Sequence, residues 1–374
     1  MPLVAAGLVA GMLPVFLLGT LSSRIGAELG LTEAGVGLAL SAFFTAAAIS
    51  AVPGGRAADR FGAGTALRVG VLGAAVAMAA VGLMVTATPG LLVALVGAGA
   101  ALGLVDPGGS RALSAAVPLR RQGLAFGVTE ASVPTASLLA GATLPLVGGW
   151  RASFVVGGIV AGLIAAAVPR ALDDTPSRPD PAPAAPGAAP AAAVLVVAAA
   201  AALGGGASVV GVTFLVPAAL DRGWSEPAAG GLLVTASLAG IGVRLAVGLL
   251  ADRRPGAERT LLAVALALGS VGLAGLGAGP LLPAALLAVG AGWGWTGLAF
   301  LAAVRLDPDR PARAAGMVLT GLAIGGATGP AGFGWLVTRA GFARAWILAA
   351  AVMAAAALLT GLAAHRARPA NDPR

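Results

Sequence analysis

The sequence predicts an all-α membrane protein, with twelve transmembrane helices in two pseudo-symmetric six-helix bundles. Three observations carry this. The 374 residues are 58% hydrophobic and 10% charged, whereas soluble domains carry about a quarter charged residues. So much apolar surface does not fit one core and needs lipid as its solvent. The chain also divides into twelve apolar runs, each long enough to cross a bilayer. Finally, the frame Gly-x-x-x-Asp-Arg occurs at Gly55–Arg60 and again at Gly248–Arg253, each time after a long apolar run, with Asp59 and Asp252 standing 193 positions apart.

In chain order, spans 1 to 6 are expected at 3–22, 34–54, 65–87, 90–117, 123–147 and 152–169. A crossing needs about 17–25 apolar residues. The N-terminus lacks the charged region and cleavage site of a secretory signal, so Pro2–Thr20 reads as the first span. Spans 7 to 12 are expected at 192–220, 228–250, 260–277, 280–304, 313–337 and 342–364. Pro169–Pro190 lies between the sets and contains seven prolines with Asp173, Asp174, Arg178 and Asp180. Such a stretch reads as a semi-rigid solvated linker. The expected organisation is a bundle over 1–168, a linker over 169–191, and a second bundle over 192–374 with a short tail.

The arginines orient these spans. With the N-terminus cytoplasmic, seventeen arginines fall on the cytoplasmic side, five on the outer side, and Arg244 within a span. Positive charge collects inside, so both termini are expected in the cytoplasm of an inner-membrane protein. The net charge of +8 comes from arginine alone, spread over helix ends without interleaved aromatics. That pattern suits anionic lipid and not nucleic acid. The chain has no cysteine and one histidine, His365, without ligand neighbours; no metal or cofactor is indicated. Lysine is absent, which excludes a phosphate-binding Gly-x4-Gly-Lys loop and ATP-driven work by this chain alone.

The repeat extends beyond the charged motif. The same offset pairs Glu33 with Glu226, Gly37 with Gly230, Gly141 with Gly334, Gly148 with Gly341 and Arg151 with Arg344. Two halves of six spans in one orientation are parallel repeats about an axis along the membrane normal.

With these features the chain resembles the major facilitator superfamily of secondary transporters over essentially its whole length. The resemblance rests on the twelve spans, the linker, and the motif after spans 2 and 8. The family turn continues into a further glycine and a basic pair. Here Gly62 is followed by Ala63 and Gly64, and the second copy continues Arg254-Pro255-Gly256, with Arg68 and Arg259 out of register. More loosely, Phe126-Gly127, Val133-Pro134, Arg244 and Gly-Trp-Gly-Trp at 292–295 resemble cyanate-permease-like carriers of small anions. The resemblance implies alternating access to a central small-molecule site, coupling to an ion gradient, most simply protons, and a monomer. The motif residues Gly55, Asp59, Arg60, Gly248, Asp252 and Arg253 form either a latch that holds one state or a plain solvated turn. On span 5, Gly141–Gly149 with Pro145 is a partial match to the family's antiporter signature.

Ionisable groups within spans cost about 2.5–3.5 kcal/mol each on the insertion scale, so each needs a partner or a cavity. Arg111 and Glu130 stand at equal distances from the turn between spans 4 and 5, which predicts an ion pair. It either holds the hairpin or makes Glu130 a coupling carboxylate. Asp106 opens Asp-Pro-Gly-Gly, expected to weaken span 4 and to expose either a ligand group or a kink. Arg244 lies eight residues before Asp252, roughly 12 Å up the helix, and its repeat partner is Ala51. The asymmetry favours a guanidinium that binds a carboxylate-like substrate; the alternative is a structural pair. Trp293 and Trp295 either line a cavity or pack. Gly321, Gly325 and Gly329, followed by Pro330, strip one face of span 11 for close packing or a hinge. Rival functions are multidrug efflux, with a large apolar cavity, and a non-transporting sensor or scaffold.

Overall fold

The structure, a computed structural model, describes residues 2–116, 130–169, 172, 192–254, 256–307 and 311–366. Among these, ten helices are long and apolar enough to cross a bilayer, and Ser132–Leu146 is a shorter apolar helix. One of the ten, Arg313–Leu362, has fifty residues. At 1.5 Å per residue it is long enough to cross a 30 Å hydrocarbon core twice. The total is twelve spans.

Spans 1 to 6 are Pro2–Leu29, Glu33–Phe61, Ala63–Met84, Thr88–Ala116, Ser132–Leu146 and Trp150–Ala167. Span 7 is Ala192–Thr213 followed by Leu215–Asp221, parted at Phe214. Spans 8 and 9 are Glu226–Arg253 and Glu258–Ala278. Span 10 is assembled from Leu281–Ala285, a π-helical segment Leu286–Ala291, and Thr296–Leu306. Spans 11 and 12 share Pro311–Arg366, broken at Gly341, whose φ of 79° and ψ of 167° only glycine tolerates well. Apart from residues 169 and 172, the expected linker lies outside the described residues. Large apolar side chains such as Ile49, Val76, Leu83, Val93 and Leu163 are exposed, as a lipid-facing surface requires.

Three expectations bear on the helices, and two of them are corrected. The Gly-x-x-x-Asp-Arg motif is not a turn. Span 2 runs through Gly55–Arg60 to Phe61, and span 8 runs through Gly248–Arg253. Alanine and arginine favour helix, so the charged stretch simply extends the helix out of the bilayer. The reversals fall just beyond it, at Gly62 and Gly256, each with φ 91°. Second, the weakening expected at Asp106-Pro107 does not end span 4, which continues to Ala116. Pro107 leaves the carbonyl of Gly103 without its helical donor, and that carbonyl lies against Gly54 of span 2. Third, span 10 is interrupted instead of continuous, for reasons given below.

Small residues set the packing. Gly321, Gly325 and Gly329 of span 11 lie against Ala198, Ala202 and Gly206 of span 7, backbone to backbone. With so little hydrophobic drive between helices in lipid, such close contact is the main source of association. The two sequence halves meet along span 2 with span 11, span 5 with span 8, and span 1 with span 7. Glycines paired by the repeat stand at these seams. Gly37 meets Pro330, Gly334 meets Glu33, and Gly141 meets Gly230.

The seam is closed on the face that carries the turns after spans 1 and 7. Arg24 and Glu226 form an ion pair there, between span 1 and span 8. Thr338 Oγ1 accepts from the Ala34 backbone N–H at 3.1 Å, and Ser41 Oγ from that of Ala331 at 3.0 Å. Deeper in, Phe44 covers Gly326, and the hydroxyls of Ser137 and Ser237 lie 2.8 Å apart.

Candidate functional site

Beyond the Ser137–Ser237 bond, going away from the closed face, span 8 presents Gly240 and then Arg244. Gly240 leaves room between Pro134 of span 5 and the Arg244 guanidinium. Arg244 is 3% exposed, and none of its three side-chain nitrogens has a hydrogen-bond partner among the described residues. Its guanidinium lies 5.7 Å from the ring centroid of Trp293, within cation–π range. Phe16 of span 1 meets the same ring edge-on at 5.9 Å.

The guanidinium borders a small cavity of about 10 Å³, room for about one water. Glu130 from span 5, Gly248 and Ala251 from span 8, and Gly294 and Leu298 from span 10 complete its wall. Glu130 Oε2 accepts a 2.6 Å hydrogen bond from the Thr296 hydroxyl. Thus Glu130 comes from the first half, Arg244 and Thr296 from the second, and the cavity lies between them. Asp106 on span 4 is half-buried and within Coulombic range of Glu130.

The break in span 10 makes this arrangement. Gly269 and Gly272 of span 9 bring its backbone against Gly292 and Ala288. At that contact the helix widens to π geometry and then turns at Gly294-Trp295. The interruption leaves the carbonyl of Gly292 to side-chain donors. Ser208 Oγ donates to it at 2.6 Å and Trp295 Nε1 at 3.0 Å. π segments often mark functional sites; here one turns Trp293 over Arg244 and Thr296 toward Glu130.

The two tryptophans therefore separate. Trp293 borders the guanidinium, whereas Trp295 is fully buried against Gly204 and closes the helix break. The expected Arg111–Glu130 pair lies outside what is described, because the Arg111 side chain is not among the described ones. What Glu130 contacts is Thr296, more than a hundred positions away. Asp59, Arg60 and Arg253 are exposed at helix ends, Gly55 has open space around it, and the Asp252 side chain lies outside the described residues. Gly248 lines the cavity instead. One acid that sequence reasoning missed is Glu258. Its Oε2 accepts from the Gly256 backbone at 2.9 Å and from Arg305 at 2.8 Å, fixing the turn before span 9 to the end of span 10. Its place directly after a glycine turn was the available signal.

A family model described as the Major Facilitator Superfamily matches residues 3–305. The chain belongs to the major facilitator superfamily. Two solved structures of a bacterial homologue of the human lysosomal transporter Spinster share the superfamily fold with it. In the inward-facing and occupied conformation the TM-score is 0.67, at 16% identity, covering 97% of this chain and 94% of the other. In the inward-facing and unoccupied conformation the TM-score is 0.65, with the same identity and coverage. A search of curated protein sequences found no match. Membership of the superfamily makes this a multi-pass membrane protein of a transporter family.

Proposed function

We propose that the chain is a secondary active transporter that moves a small anion across the cytoplasmic membrane by alternating access, coupled to protons. The observation that carries this reading is Arg244, a buried guanidinium whose nitrogens have no hydrogen-bond partner among the described residues, at a cavity lined from both halves. A buried unpaired charge costs several kcal/mol, and an anionic ligand offsets that cost. A fixed guanidinium binds a carboxylate or similar oxyanion through two parallel hydrogen bonds.

Glu130 and Asp106 are the carboxylates proposed to take the coupling proton. The bundles 1–168 and 192–374 rock as two bodies joined by the linker, and the monomer is the working unit. With both termini cytoplasmic, the closed seam is the outer one, so the chain faces inward and the Arg244 cavity belongs to the cytoplasmic side of the seal. Asp59, Arg60 and Arg253 lie where a latch on that side would act on lipid phosphate or helix-end carbonyls. The buried Arg244 guanidinium favours this reading over multidrug efflux, which a large apolar cavity would suit.

The test is uptake of labelled small carboxylates into proteoliposomes under an imposed pH gradient. Saturable uptake that depends on the gradient and is lost in Arg244→Ala supports the proposal. Flux of lipophilic cations unaffected by Arg244→Ala replaces it with efflux, and absence of any flux supports the sensor or scaffold reading.

A further inference from the structure

Arg244 and Glu130 are opposite charges that face one small cavity from opposite halves, and they do not touch. The guanidinium has no hydrogen-bond partner among the described residues, and Glu130 spends Oε2 on Thr296. Ions of opposite sign in a low-dielectric site attract strongly. Here they are held apart by the helices that carry them: Pro134 and Gly240 set the spacing of spans 5 and 8, and the broken span 10 anchors Glu130 through Thr296.

A cavity that meets a cation from one half and an anion from the other is complementary to a ligand that carries both charges. A simple carboxylate satisfies Arg244 and leaves its apolar end against the Glu130 carboxylate. A simple amine does the opposite. A molecule carrying both groups satisfies both and leaves no buried charge unpaired, which is the costly case. The apolar remainder of the wall, Val247, Leu298 and Leu301, gives a short hydrocarbon side chain a place to pack. In this state the cavity has room for about one water, so the ligand is admitted as spans 5 and 8 part.

We propose that the cavity between Arg244 and Glu130 binds a small zwitterion of the amino-acid type, its carboxylate on Arg244 and its ammonium on Glu130. The proposal rests on the reading of Arg244 as a carboxylate anchor and names the substrate class of that site. Such a ligand bonds one group to each half of the protein. It therefore bridges spans 5 and 8, and binding favours states in which these spans stand at the ligand's own length.

The experiment is titration calorimetry on the detergent-purified full chain with ligands of matched size. Alanine, β-alanine and 4-aminobutyrate vary the charge separation; propionate lacks the amine, lactate replaces it with a hydroxyl, and propylamine lacks the carboxylate. At least one zwitterion is expected to bind tenfold or more tighter than propionate, lactate and propylamine. Glu130→Gln is expected to lower the zwitterion's affinity at least tenfold without weakening propionate. Glu130→Asp, which keeps the charge, is expected to retain the preference and so guards against a folding defect. Equal affinity for zwitterion and propionate, or a preference that Glu130→Gln does not alter, overturns the zwitterion and leaves the anion reading standing if Arg244→Ala still abolishes propionate binding. Binding of propylamine alone, indifferent to Arg244→Ala, overturns both. Failure of all three zwitterions to bind overturns the zwitterion outright.

Discussion

Gly141 on span 5 and Gly230 on span 8 are mutual neighbours across the two halves. A Cβ on Gly230 would stand 2.7 Å from the Gly141 carbonyl oxygen, and one on Gly141 would stand 3.0 Å from that of Gly230. One turn or two deeper, the hydroxyls of Ser137 and Ser237 meet at 2.8 Å. Spans 5 and 8 thus touch backbone to backbone on the closed face and diverge around the Arg244 cavity. Because the chain has no cysteine, this seam can be locked chemically. The double variant Ser137→Cys/Ser237→Cys is expected to form a disulfide under mild oxidant, since the side chains meet at a distance a disulfide spans. Transport is expected to stop on oxidation and return with dithiothreitol, read by liposome flux and by gel shift of the cross-linked chain after cleavage between the halves. Normal flux with the bridge formed would mean that this seam does not open during transport.

Gly62 and Gly55 make opposite predictions although both belong to the charged motif region. Gly62 has φ 91° and ψ 149°, a conformation nearly confined to glycine, where another residue costs about 1–3 kcal/mol. Gly62→Ala is expected to lower the melting temperature accordingly. Gly55 lies within the helix with open space where its Cβ would go. Gly55→Ala is expected to be neutral or to stabilise by up to about 1 kcal/mol, since glycine weakens a helix. Any transport defect in Gly55→Ala would then be a defect of function, separable from stability by comparing melting with flux.

Span 11 offers a similar contrast. Gly325 lies against Ala202 and Gly206 of span 7, whereas Gly332 has nothing within 4 Å. Gly325→Val is expected to cost about 1–3 kcal/mol through overpacking, and Gly332→Val to be tolerated. Thermal melting in detergent checks both.

The two tryptophans of span 10 are expected to fail differently. Trp295→Phe removes the donor to Ser208 and to the Gly292 carbonyl. It is expected to cost about 0.5–1.5 kcal/mol of stability and to leave ligand affinity unchanged. Trp293→Ala removes the ring beside Arg244. A cation–π contact is worth about 0.5–2 kcal/mol, so ligand affinity is expected to fall between a few-fold and about thirtyfold. Calorimetric affinity and melting temperature, measured on both variants, separate the two roles.

Much of the fold was legible because the bilayer makes it so. Apolar runs of fixed length, a rare charge pattern repeated at one offset, and glycines every fourth residue on span 11 all leave local marks. The helical ends at Gly55–Arg60 and Gly248–Arg253 resemble turns in sequence because an exposed helix end and a loop share the same polar composition. The reversal depends on the backbone of one residue, Gly62, and composition does not mark it. The break in span 10 was hidden for another reason. It arises from contact with Gly269 and Gly272 on a neighbouring helix, so the Gly-Trp-Gly-Trp stretch alone does not dictate it. Arg244 stood out by its asymmetry between the repeats. Its relation to Glu130 did not, because the sequence offered Arg111 as the nearer cation, and only the packing of span 5 on span 8 brings Glu130 to the Arg244 cavity.

Ligand-dependent melting of the purified wild type beside Arg244→Ala tests the account's central claim most directly. Small anions and zwitterions, sugars and lipophilic cations would be compared on both proteins. A ligand at a hundred times its dissociation constant adds about 2.7 kcal/mol of stability. The account predicts that a class of small carboxylate-bearing ligands raises the melting temperature of the wild type and not that of Arg244→Ala. Equal stabilisation of both proteins by lipophilic cations, with no response to any carboxylate, would contradict it.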